Sequence, residues 1–279
     1  MTKRLLYTAI LVFITLISLS SRATEQNKAA LQLGIFPYVS PGQLVKFHTD
    51  LKNRLETALG KKIVMVTAPS FKKFVMRTKH SSYDFILTAP HLGRLAEIRD
   101  GYRPIAHTRH EIQGVYLVKS SSDIHELKDL EGKVITLVGR TALVTQMVEK
   151  QLNGMGLFNG KNITFKFTKT HNNAMYAPLR GESDASVTGI LLWYKIGKLE
   201  KGSKMRVIGK SPASIGFQVM AASNVPEEDV LKIQKALFSF HETDIGKEYM
   251  VRTGFKRFDI VDDREKKQLE PYIQIFLKK

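Results

Sequence analysis

The 279-residue chain contains no cysteine. That excludes disulfide cross-links, a thiolate nucleophile, a cysteine-attached cofactor and a lipid on an N-terminal cysteine. A chain of this length can supply a core large enough to fold without such staples. Acidic residues are also scarce. Only 26 Asp+Glu stand against 43 Lys+Arg, a formal charge of +17. The imbalance favours an anionic partner. The basic residues are spread along the chain without a dense block, so nucleic acid is not expected as the partner. HExxH, GxSxG and Walker patterns are missing. The eight histidines show no metal-ligand spacing; His107 and His110 are close, but on chain that reads as extended. An enzyme on this chain therefore has no motif to rest on, and neither metal nor cofactor is expected. There is no repeat of fixed period and no low-complexity tract.

What is present begins with an export signal. Lys3 and Arg4 precede an apolar run over residues 5–19, and Ser20-Ser21-Arg22-Ala23 follows as a small-residue cleavage site. The run is shorter than the roughly 20 residues a membrane anchor needs. Residues 1–23 are expected to be removed, leaving Thr24 first; losing Lys3, Arg4 and Arg22 would leave a charge of +14. A bacterial periplasmic protein, monomeric and without a lipid anchor, is the expectation.

Beyond the signal, strands and helices alternate. The stretch "LQLGIF" reads as a strand, and Ser40-Pro41 as an N-cap with proline at the first helical position. Leu44, Phe47, Leu51, Leu55 and Ala58 form a helical stripe closed by Gly60. Further strands are read at "KIVMVTA", "DFILT", "KVITLVG", "NITFKFTKT", "DASVT", "MRVIGKS" and "IGFQVMAA", and the tail from Glu227 reads as helical. Alternation of this kind predicts α/β sheets with parallel strands. Two runs of it, joined by extended segments at 113–119 and 215–221, predict two lobes with two crossings. Lobe 1 is expected at 24–115 plus 216–279 and lobe 2 at 116–215. A cleft between such lobes closes by a hinge.

The strands end alike. The first leads to Tyr38 and Ser40, the second to Ser70, the third to Thr88 and His91. In the second lobe the strands lead to Arg140-Thr141, to His171-Asn172 and to Thr188. Carboxyl ends of strands in open α/β sheets are where ligands sit, and free N–H groups at helix starts favour anions. Any one Ser or Thr here serves equally as a helix cap; the recurrence in both lobes points to a ligand. Arg140 is either a fork for phosphate or carboxylate or a solvated surface arginine. His171 is either a donor or another cap. Asp184 either builds the turn into its strand or contacts ligand.

Several segments resemble one family, the phosphate/phosphite/phosphonate class of periplasmic substrate-binding proteins that serve ABC transporters. "YDFILTAPHLGRLA" resembles its Tyr-Asp-Phe strand and following turn. "LKDLEGKVITLVGRTALVTQMV", "THNNAMYAPLRGESDASVTG" and "FHETDIGKEYMVRTGFKRF" resemble three further segments, so the likeness spans nearly the whole chain after the signal. It implies a two-lobed α/β type II periplasmic binding fold: two mixed sheets flanked by helices, a cleft between them and two hinge crossings. It implies ligand contacts at Tyr38, at Tyr83 or the 88–91 turn, at Arg140-Thr141-Ala142, at His171 and at Asp184. The chain departs from the family where Arg140-Thr141-Ala142 replaces a Ser-Thr-Ser turn, losing two hydroxyl donors and gaining a cation. The implied function is capture of a small anion, phosphate- or phosphonate-like, and its delivery to an ABC permease. A membrane sensor kinase or cyclase is the other partner this fold serves, and an enzyme on the same fold is the remaining reading.

Overall fold

The computed structural model describes residues 30–194 and 204–277. The expected signal, residues 1–23, lies outside the described residues. Among those residues no helix is long and apolar enough to cross a membrane.

Two mixed sheets form the frame. In the first, β1 (Leu31–Ile35) pairs in parallel with β2 (Ile63–Val66) on one side and β3 (Phe85–Thr88) on the other. Strand β10 (Gln218–Ala221) runs antiparallel between β3 and β4 (Arg103–Thr108), and the two-residue β11 (Phe258–Asp259) closes the edge. In the second sheet, β6 (Val134–Val138) pairs in parallel with β7 (Thr164–Thr168) and β8 (Ala185–Gly189). Strand β5 (Gly114–Lys119) lies antiparallel between β8 and β9 (Met205–Lys210).

Helices follow the parallel strands: α1 (Pro41–Leu59), α2 (Phe71–Lys79), α3 (Pro90–Asp100), α4 (Leu143–Gly154) and the short α5 (His171–Tyr176). The tail adds α6 (Glu227–Phe238), α7 (Asp244–Thr253), α8 (Asp263–Leu269) and α9 (Gln274–Leu277). On α1 the buried stripe is Leu44, His48, Leu51, Leu55 and Leu59. The sequence suggested Phe47 and Ala58 in two of those places; the helical period runs through His48 instead, because its ring finds hydrogen-bond partners inside.

Chain crosses between the sheets at 109–113 and 211–217. The two crossings bond to each other: Ile112 and Ser214 exchange N–H···O=C bonds of 2.9 Å, and the Thr108 N–H donates to the Phe217 carbonyl at 2.8 Å. Gly216 is required here, since a Cβ would collide with the Thr108 carbonyl oxygen. The second sheet begins at Gly114, slightly before the expected start of lobe 2 at residue 116.

The cores are separate. Lobe 1 packs Leu33, Ile35, Phe74, Phe85, Leu95, Val219 and Tyr249 among others; lobe 2 packs Ile135, Leu137, Val148 and Leu152 on one face of its sheet and Trp193 with Met175 on the other. Across both sheets the amino edges are stapled in the same way. The Asp84 carboxylate accepts the Gln32 N–H at 2.7 Å, and the Asp184 carboxylate accepts the Val134 N–H at 2.7 Å. Each aspartate stands just before its strand, so its own N–H completes the pair through the neighbour's carbonyl at 3.0 Å.

Candidate functional site

The carboxyl edges of the two sheets face each other. His91, the second residue of α3, donates its Nε2–H to the Thr141 carbonyl at 3.0 Å, which joins the end of β3 to the end of β6 across the lobes. A carbonyl can only accept, so Nε2 carries the proton and Nδ1 is bare. Burial pushes the His91 pKa down to about 4, against a smaller opposing effect of the Thr141 bond, so the ring is neutral near pH 7.

Two long helices begin at this junction without a side-chain cap. Ala89 occupies the N-cap of α3 and Ala142 that of α4. Both alanines are buried. Their first-turn N–H groups therefore keep their bonding capacity and the positive end of each dipole in a poorly hydrated place. At the starts of α2 and α5 the same kind of position is filled. The Ser70 hydroxyl accepts the Lys73 N–H at 3.2 Å at the start of α2, and the Thr170 hydroxyl accepts the Asn173 N–H at 3.2 Å at the start of α5.

Sequence-expected residues are sorted by these contacts. Thr88 ends β3 fully buried, beside the His91 turn, with its hydroxyl lacking a partner among the described residues. Thr141 lies at the junction, its side chain half-buried. His171 lies at the same edge: Nδ1 accepts the Gly189 N–H at 3.2 Å, which leaves the proton on Nε2. Its pKa too is lowered by burial to about 4. The cap of α5 is Thr170, so His171 does not serve as that cap. Ser40 is exposed and donates its hydroxyl to the Gln43 side chain at 3.0 Å within α1. Ser70 is engaged by its helix, as above.

Three expected contacts are placed elsewhere. Asp184 sits at the amino edge of β8 and is occupied with Val134; the strand's own length carries it away from the carboxyl edge. Tyr83 also precedes its strand, packed under Gly34 and stacked on Phe74 with ring centroids 5.3 Å apart. Arg140 has a side chain 53% exposed, its guanidinium 4.6 Å over the Phe167 ring and 3.9 Å from the Glu149 carboxylate. That cation, beside the junction, is already engaged by an aromatic ring and an acid.

Tyr38 is drawn into lobe 1. Its ring stacks on Phe36 at 4.9 Å and meets Phe217 at 5.1 Å. Its hydroxyl lies 2.8 Å from His48 Nε2, and His48 Nδ1 lies 3.0 Å from the Tyr249 hydroxyl. The Tyr249 hydroxyl is buried and has no second partner among the described residues, so it donates to Nδ1. His48 Nε2–H then donates to Tyr38, whose own proton stays available. Desolvation, helped by the Arg252 charge, lowers the His48 pKa to about 3, and burial raises the Tyr38 hydroxyl. Sequence reasoning missed His48; its place on the α1 stripe, four residues after Leu44, was the available signal.

Charge at the junction is one-signed. From the ends of β1, β2, β3, β6, β7 and β8 to the first turns of the following helices, the chain carries Lys72, Lys73, Arg140 and Lys169 and no acid. The family of ABC transporter, phosphonate, periplasmic substrate-binding proteins matches residues 33–265. The chain belongs to that family. Its members are substrate-binding proteins of ABC transporters and not enzymes.

Solved structures carry the same fold. PhnD1 from Prochlorococcus marinus in complex with methylphosphonate superposes with a TM-score of 0.75 at 18% identity, covering 91% of this chain and 100% of that one. A protein from Xanthomonas citri bound to ATP gives 0.72 at 14%, covering 89% and 98%. The periplasmic aliphatic sulphonate binding protein from Escherichia coli gives 0.63 at 17%, covering 89% and 91%. At these identities the likeness establishes the two-lobed type II periplasmic binding fold and leaves the ligand to the site itself.

Proposed function

We propose that this chain captures a small oxyanion of the phosphonate class in the periplasm and hands it to an ABC permease. The ligand sits between the uncapped starts of α3 and α4. The observation that carries this reading is that junction: two helix N-termini with buried alanines at their N-caps in one place, on segments between strand ends and first helical turns that carry basic residues and no acid. The donors are the first-turn N–H groups of α4, the Thr141 hydroxyl and the His171 Nε2–H, with Thr88 on the facing lobe. Relatives solved with methylphosphonate and with ATP both hold phosphorus oxyanions.

The same reading restricts the ligand. With Asp184 at the far edge, no carboxylate stands on the segments between strand ends and first helical turns among the described residues to meet an amine. Unsubstituted alkylphosphonates are therefore favoured over aminoalkyl ones, since an unpaired ammonium in a buried site is costly. Two lobes, divided near residues 115 and 216, close on the ligand in a monomer. The test is isothermal titration of the protein with methylphosphonate, 2-aminoethylphosphonate, methanesulfonate, inorganic phosphate and ATP. Methylphosphonate is expected to bind and to raise the melting temperature. No heat from any of the five, or tighter binding of the aminoalkyl compound, overturns the proposal.

A further inference from the structure

The end of the chain touches both lobes. Helix α8 and the turn Glu270–Tyr272 lie against α3 of lobe 1, where Arg94 bonds the Glu270 carboxylate at 2.6 Å. Ile273, 1% exposed, is part of the lobe 1 core, and Phe276 packs against the same core. Tyr272, one residue earlier, packs instead against the lobe 2 core, and Lys150 of α4 places its ammonium 5.7 Å from the Tyr272 ring. The turn itself lies against α4. Consecutive side chains thus face opposite lobes. The tail also reaches the junction, because the Phe276 ring lies 6.0 Å from the His91 ring, whose other side holds Thr141.

We propose that Tyr272 is a positioning residue that sets how readily the lobes part, and through that the rate of ligand release. This rests on the cleft reading of the preceding section. The crossings at 109–113 and 211–217 let the lobes rotate, whereas Tyr272 has to be pulled off lobe 2 whenever they do. The turn that carries it contacts α3 and α4 together, the two helices whose N-termini form the junction. Peeling an aromatic ring from apolar surface opposes opening in the absence of any ligand. Tyr272 holds a lobe to its neighbour and touches no ligand.

The chain's lack of cysteine permits a direct test. Nitroxide labels at Val45→Cys and Asn172→Cys, both exposed and near the starts of helices in opposite lobes, report the interlobe distance. In Tyr272→Ala without ligand, the population at long distance is expected to rise on the order of tenfold, and methylphosphonate release to quicken about three- to tenfold. Tyr272→Phe keeps the ring and is expected to restore both values. Lys150→Ala is expected to move both in the same direction by less. Unchanged distances and release in Tyr272→Ala overturn the proposal, as does a change that Tyr272→Phe fails to rescue. The distances are read without ligand, so a protein that ignores methylphosphonate defeats the cleft reading and leaves the distance test of Tyr272 standing.

Discussion

The two lobes are built on one plan. In each, three parallel strands are followed by an antiparallel strand and then a fifth, with orders β2-β1-β3-β10-β4 and β7-β6-β8-β5-β9. Matching positions do matching work: Asp84 and Asp184 staple the amino edges, Ser70 and Thr170 cap the helices after β2 and β7, and Thr88 and Thr188 end buried strands. Residues that do the same job in both lobes serve the frame. The differences are concentrated at the junction, where lobe 1 offers Ala89-Pro90-His91 and lobe 2 offers Arg140-Thr141-Ala142. A second difference lies inside. Lobe 1 buries His48, His91, His107 and His110, while lobe 2 has only His171 with a depressed pKa. Polar groups kept neutral in one core make that lobe the one that acid attacks.

The largest effect that would break the equivalence is acid unfolding. The lobe 1 histidines are lowered from 6.5 by burial, His91 and His110 to about 4 and His48 to about 3. The unfolded chain therefore binds more protons between about pH 6.5 and pH 3, and stability falls as pH drops through that window; above pH 6.5 it is complete. A single histidine moved that far is worth on the order of 3 kcal/mol. Lobe 1 is expected to unfold before lobe 2. The single tryptophan, Trp193, is buried in lobe 2, so far-UV ellipticity should fall at higher pH than Trp193 fluorescence changes. Coincident curves would remove the distinction between the lobes.

His48→Leu is next in size. It leaves the Tyr249 hydroxyl buried without a partner and frees Tyr38, at a cost of about 2–4 kcal/mol in denaturant unfolding. A loss under about 1 kcal/mol would mean that water replaces the imidazole. Smaller still, Asp84→Ala and Asp184→Ala should each cost about 1–2 kcal/mol, because each removes one charge-assisted bond to a strand end. Unequal losses would sharpen the comparison by showing which staple matters more. Asp184→Ala should leave methylphosphonate affinity within twofold; a tenfold loss would return Asp184 to the ligand. Smallest, Arg140→Ala should weaken methylphosphonate binding less than about fivefold by titration, since its guanidinium faces Phe167 and acts only at a distance.

Much of this frame was legible in the sequence, since period-two and period-3.6 patterns survive burial. The strand "DFILT" and the helix after Ser40 that closes at Gly60 lie where the pattern puts them. The hydroxyl-ended strands were legible as a set. What the pattern could not divide was capping from ligand binding, because Ser70 and Thr141 look alike until the neighbouring N–H groups are placed. The direction of a strand decides which end faces the cleft, and "DASVT" carried Asp184 at the wrong end of it. His48 was legible only as a place on the α1 stripe, and Tyr272 not at all, because the partners that define them, Tyr249 and Lys150, are more than a hundred residues away. The short β11 within a helical tail has two residues and no periodicity to detect.

The central claim is that the buried, uncapped start of α4 holds an oxyanion. Ala142→Asp tests it most directly. A carboxylate at the N-cap takes up the first-turn N–H groups and repels an anion, while Ala142→Ser caps without charge. Calorimetric titration with methylphosphonate should show binding weakened at least about a hundredfold in Ala142→Asp, and by no more than about tenfold in Ala142→Ser. Methylphosphonate bound by Ala142→Asp as tightly as by the parent would contradict the account.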